Sequence, residues 1–366
     1  MIPIYKPLID DEDLVAVSNA VKSGWVSSKG KELREFEDEF SKYVGKRHGV
    51  STSSGTSALH LALAALGIGK GDEVIVPDFT FVSPVNAVIY QNAVPVLVDA
   101  EYDTWGIDPE IIAKAISRKT KAIIVAHIYG NSAKIDEISE IANEKDIYLI
   151  EDCAESIGAT YKGKMTGTRG IISCFSFYGN KVITTGEGGM CLTDDDEINE
   201  RLTILRDHGM NPQRRYWHDF VGFNYRMTNM QAALGLAQLK KIDDIIKRKR
   251  RIARFYQENL SDRLDVQRDP PNQNSVFWLY SILAKNERVR EKIVEELTKN
   301  EIESRGFFYP VHVMPPYRNF SFVHTRRAVS NDISNRGINL PSYPQISDEE
   351  LIKISNIINR IAQLYP

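Results

Sequence analysis

The chain has 366 residues, enough to bury a core without help from disulfides or metal and to form two domains or one large α/β domain with an appendage. Apolar residues make up 42% and charged residues 26%, which excludes disordered, collagenous and membrane-embedded classes. With 46 basic and 49 acidic residues the net charge is -3, so no global basic field marks a nucleic-acid partner.

The opening segment, MIPIYKPLIDDEDL, lacks the basic and apolar stretches of a secretion signal. No apolar run reaches the ~18 residues of a spanning helix. Cys153, Cys174 and Cys191 are odd in number and lack metal-type spacing. They read as buried thiols in a reducing compartment, so a cytoplasmic protein without a membrane partner is expected.

Between residues 50 and 200, short apolar runs alternate with amphipathic stretches. Strands are expected at 73–77, 94–99, 122–127, 147–151, 171–177 and 190–193, and helices at 56–66, 83–91, 109–116 and 136–145. Val and Ile fill most of the strands without polar alternation, as in strands covered on both faces. Asp108 before Pro109 suits a helix start. This alternation predicts a mainly parallel sheet flanked by helices, with ligands beyond the carboxyl ends of its strands.

The periodicity of Leu239, Ile242, Ile246, Ala253, Tyr256 and Leu260 predicts one long helix over 232–260. Its basic run, 247–251, reads as a solvated helix face more readily than as a nucleic-acid contact. Pro270 and Pro271 mark a break. A smaller C-terminal α/β domain is expected beyond it, with a strand at 277–284 and helices at 288–300 and 348–364. The division expected is 1–245 for a large domain and 246–366 for a small one led by the long helix.

Two nucleotide-binding signals fail. Gly158 to Lys164 has phosphate-loop spacing, but Met165 stands where a Ser or Thr should hold magnesium, and a hairpin is expected there instead. Gly67, Gly69 and Gly71 read as helix-end glycines. The seven histidines show no zinc-type cluster, so no metal is expected.

Three other elements belong together. Ser53, Ser54, Gly55, Thr56 and Ser57 lead into a helix, where free amides and hydroxyls suit a phosphate or serve as an ordinary cap. Asp152 ends an apolar strand and would be costly there without a cationic or hydrogen-bonding partner; Glu151 beside it could be a surface residue at the strand end. Lys181 follows the next strand in a loop bounded by glycines. Phosphate grip, carboxylate for a pyridinium nitrogen and amine for a Schiff base, in that order, describe a pyridoxal-phosphate site.

With these residues in view, the sequence resembles the DegT-type sugar aminotransferases, a branch of the fold-type I pyridoxal-phosphate enzymes. The resemblance rests on SGTSALHLAL, GDEVIVPDFTFVSP, YLIEDCAES, FSFYGNKVITTGEGGM and VGFNYRMTNMQAA, and covers nearly the whole chain. RRYWHDFVGFNYRMTN and FFYPVHVMPPY are similar to the branch that makes GDP-perosamine. The resemblance implies that Lys181 forms the Schiff base, Asp152 pairs with the ring nitrogen and Phe81 stacks on the ring. Gly55, Thr56, Ser57 and Ser176 would hold the phosphate. Asn224 would reach it from a neighbouring subunit, making a homodimer part of the site, with a tetramer as the larger assembly left open. Glu155 stands where many relatives carry Gln or His near the phenolic oxygen.

The implied reaction takes an amino group from L-glutamate to a nucleotide-linked 4-keto-6-deoxy sugar for surface polysaccharide such as O-antigen. The leading substrate is the GDP-linked mannose derivative. UDP- or dTDP-linked 4-keto or 3-keto hexoses remain open, with a non-catalytic cofactor-binding regulator as the remote alternative. Trp25, Ser27, Arg215, Tyr309 and His312 are candidates for the sugar nucleotide, or else interface and core residues.

Overall fold

The computed structural model describes residues 1–365. Its main sheet has eight strands in the order His48–Thr52, Gly189–Thr193, Ile172–Ser176, Tyr148–Asp152, Thr120–Ala126, Glu73–Pro77, Val94–Val98 and Phe322–Val323. From Ile172–Ser176 onward all neighbours are parallel, while Gly189–Thr193 is antiparallel to both of its neighbours. Parallel pairing needs helical crossovers, supplied by Gly55–Ala65, Ser83–Tyr90, Pro109–Ala115 and Ile135–Glu144. Apolar clusters fill both faces of the sheet. The carboxyl ends therefore meet along one edge, which carries His127, Asp152 and Ser176.

A second, antiparallel sheet joins Asp265–Val266, Tyr280–Leu283, Gly337–Leu340 and Arg305–Gly306, covered by Glu287–Lys299 and Asp348–Leu364. Besides helix Ile242–Asn259, which straddles it, two segments cross the 245/246 division. Ile2 bridges to Ile302 and packs in the C-terminal core, and Phe322–Val323 pairs with Val94–Val98 in the main sheet.

Three local expectations change. The helix over 232–260 is two helices, Asn229–Lys240 and Ile242–Asn259, because Lys241 leaves helical geometry and its ammonium is pinned by Asp10 and Asp13. The strand at 277–284 shrinks to Tyr280–Leu283, since Phe277 has φ 45°, which no strand allows. The polar strand His48–Thr52, unpredicted, pairs along its whole length with Gly189–Thr193. The hairpin near Gly158 does form: Thr160–Tyr161 pairs with Lys164–Met165 across Lys162 and Gly163, both at positive φ, as a tight hairpin turn requires.

Candidate active site

At the carboxyl edge of the main sheet lies a cavity of about 450 Å³, within the usual size of a small-ligand site. One wall is the start of helix Gly55–Ala65. Ser54 caps it reciprocally with Ser57, so the Ser57 hydroxyl bonds to Ser54 and stays behind the cavity surface. The cap consumes the Ser57 amide, and the first intrahelical bond runs from Ala58 to Ser54. The amides of Gly55 and Thr56, which precede that bond, are thereby left for a ligand. A Cβ on Gly55 would stand 2.8 Å from Ser176 Cβ, so only glycine lets helix and strand meet here. Thr56 and Ser83 hydroxyls join at 2.7 Å on the same rim.

Asp152 forms the floor and is buried. Its Oδ1 accepts from the Ala154 amide at 3.1 Å. Burial raises its pKa, and Ala154, Lys181 and His127 offset only part of this. Beside it, Glu155 accepts from the Tyr129 amide at 2.8 Å, and burial raises its pKa against the pull of Lys181. That hydrogen bond secures a left-handed residue, for Tyr129 has φ 50°. Gly130 follows at φ 104°, where a Cβ would lie 2.7 Å from the Phe277 and Trp278 nitrogens.

Lys181 enters the cavity from the loop after Ile172–Ser176. Its ammonium sits 3.7 Å from the Trp278 ring centre, and burial lowers its pKa while Glu155 and Asp152 oppose the shift. Phe81 lines the mouth and is 57% exposed, so it is not a core aromatic.

The cavity thus gathers Gly55, Thr56, Phe81, Asp152, Glu155, Ser176 and Lys181. Ser57 is adjacent; Asn224, Trp25, Ser27, Arg215, Tyr309 and His312 do not line it. His312 is committed elsewhere: its Nδ1 meets Asp78 at 2.7 Å and its ring stacks on Phe322 at 4.0 Å, fixing the added edge strand. Asn224, Trp25, Ser27, Arg215 and Tyr309 are solvent-exposed.

Sequence reasoning missed His127 and Trp278 in the cavity wall, whereas Phe308, also in the wall, lies in the segment 308–312 expected to meet the sugar nucleotide. His127 had a signal, at the carboxyl end of an expected strand; Trp278 had none. Glu151 is no surface residue: it is fully buried. Together with His127 and Cys153 it forms a compact donor group. Its oxygens, however, accept from the amides of Gly167, Arg169 and Gly170. The Ala133 amide donates to His127 Nδ1, which leaves the ring proton on Nε2, facing Glu151 at 3.0 Å. These groups tie loops together.

Residues 7–359 match the DegT/DnrJ/EryC1/StrS aminotransferase family. GDP-perosamine synthase of Escherichia coli O157:H7 is 44% identical over 98% of both chains, and that of Vibrio cholerae 43% over 98% of both. The fold superposes on the PLP form of Spr1654 from Streptococcus pneumoniae with a TM-score of 0.94, at 28% identity over 99% of each chain. Among the described residues no helix is long and apolar enough to cross a membrane. The chain belongs to the DegT/DnrJ/EryC1/StrS aminotransferase family, whose cofactor is pyridoxal phosphate.

Proposed function

We propose that this aminotransferase moves an amino group from L-glutamate to GDP-4-keto-6-deoxy-D-mannose, making GDP-perosamine for surface polysaccharide such as O-antigen. The observation that carries the reading is full-length identity of 39–44% to three proteins named GDP-perosamine synthase. A cytoplasmic site of action is supported by three buried cysteines present as free thiols.

The cavity's chemistry fits the cofactor. Pyridoxal phosphate, when bound, supplies an aldehyde that condenses with amines and a ring that accepts electrons from the substrate's Cα–H bond. Asp152, a buried carboxylate with one amide donor, is suited to hold a protonated ring nitrogen. Gly55, Thr56 and Ser176 line the cavity at a helix start, where free amides suit a phosphate, with Ser57 fixing the cap. Phe81 offers an open ring face for stacking. Lys181, its pKa lowered by burial against the pull of Glu155 and Asp152, is the amine suited to take the Cα proton and return it. Glu155, its carboxyl raised by burial to about 7, is suited to exchange a proton with an oxygen in the cavity.

We assign Asn224 to the partner subunit's site in a homodimer. Its exposure away from this chain's own cavity supports that role, as do the bare apolar neighbours Phe220 and Val221, 61% and 93% exposed. Trp25, Ser27, Arg215 and Tyr309 remain candidates for the nucleotide. The domain division is proposed at 245/246, with the N-terminal residues and Phe322–Val323 exchanged across it.

The test is optical. L-Glutamate should bleach the cofactor's yellow band, and the GDP-linked 4-keto sugar should restore it. Restoration only by UDP- or dTDP-linked sugars replaces the substrate; failure to bleach removes glutamate as donor.

A further inference from the structure

The basic run 247–251 is not uniform. Arg248 and Arg251 pair with Asp244 and Asp348 at the surface, but Lys249 turns inward and is 1% exposed. It donates to the Ser342 carbonyl at 2.8 Å and lies 5.4 Å from the centre of the Tyr5 ring. Burial alone lowers its pKa, to about 7, and no carboxylate among the described residues pairs with it. An amine buried without a counter-ion is costly, so its position asks for a reason.

The other end of Tyr5 supplies one. The Tyr5 hydroxyl donates to the main-chain carbonyl of Lys181, and burial raises its pKa, so it stays a protonated donor. The preceding carbonyl, of Asn180, accepts from the Trp278 indole N–H. The turn that carries Lys181 is therefore held at two successive carbonyls by two aromatic side chains. The segment bearing Tyr5 is itself tied to the C-terminal unit. Ile2 exchanges backbone bonds with Glu301 and Glu303 at 2.8 and 2.9 Å, and the Ile4 amide donates to the Glu303 carboxylate at 2.9 Å.

We propose that Tyr5 is a positioning residue for Lys181, with Lys249, itself held by Ser342, keeping its ring in place, so that the N-terminal segment braces the cofactor lysine against the C-terminal unit. The proposal rests on the reading of Lys181 as the lysine that binds the cofactor. Fixing the carbonyl fixes the direction in which the side chain leaves the turn. Less freedom is then lost each time Nζ reaches its working position.

Tyr5→Phe keeps the ring over Lys249 and removes only the hydroxyl. In the loaded enzyme, kcat of both half-reactions should fall about threefold to tenfold, the range of one net hydrogen bond, with KM for the sugar unchanged. The pH midpoint of the cofactor's visible band should move by about half a pH unit. Lys249→Met, which keeps the apolar stem, should move that midpoint in the same direction by less. An unchanged midpoint and kcat in Tyr5→Phe would reduce Tyr5 to packing and overturn the proposal, whatever happens to thermal stability. Borohydride fixation of the wild-type cofactor followed by peptide mapping separates the two possible failures. A label on another lysine removes the reading of Lys181. A label on Lys181 with Tyr5→Phe unaffected removes only the brace.

Discussion

Glu151 and Asp152 are consecutive carboxylates on one buried strand, and they point to opposite faces of it. On the closed face, Glu151 takes three amides and faces His127 Nε2. Burial pushes its carboxyl up, yet His127 and the amides outweigh burial and hold it below the ordinary range. On the cavity face, Asp152 has the single amide of Ala154, and burial wins. A buried carboxylate that is fully supplied fastens chain to chain. One left short of donors is a binding group, because the fold itself does not complete its shell.

The largest expected effect comes from the undersupplied member. Asp152→Asn should slow transamination by roughly 10²- to 10⁴-fold, the span of a lost proton-transfer contribution, while the cofactor-free melting temperature holds or rises. Single-turnover colour return and thermal melts read the two quantities; a near-normal rate would break the comparison from this side. Glu151→Gln should show the reverse profile. An amide NH₂ then faces groups that only donate, and stability should drop by about 3 kcal/mol. The rate per folded molecule should change far less, as denaturant melts and active-site titration would reveal.

The pH dependences sharpen the contrast, with opposite signs. Glu151 has a depressed folded pKa. Its contribution is present above the ordinary glutamate value of 4.5 and lost as pH falls through the folded value. The stability gap between wild type and Glu151→Gln should therefore close in acid. Asp152 has a raised folded pKa, so the folded state holds its proton more tightly than the unfolded chain. Stability of the cofactor-free protein should fall as pH rises from the ordinary aspartate value of 3.8 through the raised one. Urea melts of wild type against Asp152→Asn should diverge upward through that window and coincide below it.

Local pattern carried the scaffold well. Helix Asp348–Leu364 and strand Glu73–Pro77 have the expected bounds, because apolar period and caps both lie within the segment. Asp152 stood out as a charge at the end of an apolar strand, and Lys181, in the glycine-bounded loop beyond the next one, through its order after the segment 53–57 and Asp152. What escaped was set by distant chain. The break at Lys241 answers to Asp10 and Asp13, which no window around Lys241 contains. Glu151 looked like a surface residue because its donors come from Gly167, Arg169 and Gly170. The same holds for Trp278, which covers Lys181 from the C-terminal half, and for Lys249, hidden in a run that reads as solvated. Strand His48–Thr52 is too polar to announce itself and exists because Gly189–Thr193 offers it an edge.

The same contrast recurs at smaller scale in two aromatics, Phe79 and Phe81. Phe79 is fully buried, with its ring against Tyr129, Phe307 and Phe308. Phe81 stands 57% exposed at the cavity mouth, with Phe308 its aromatic neighbour at 6.2 Å. Phe79→Leu should cost about 1–3 kcal/mol of stability, as buried shape changes do. Phe81→Leu should leave stability within about 0.5 kcal/mol and weaken cofactor binding by about 1 kcal/mol, the worth of one ring contact. Absorbance titration with pyridoxal phosphate and thermal melts of both variants check this. If Phe81→Leu lost stability and kept its affinity, the exposed ring would be supporting the fold, and exposure at the cavity mouth would no longer separate a binding aromatic from a packing one.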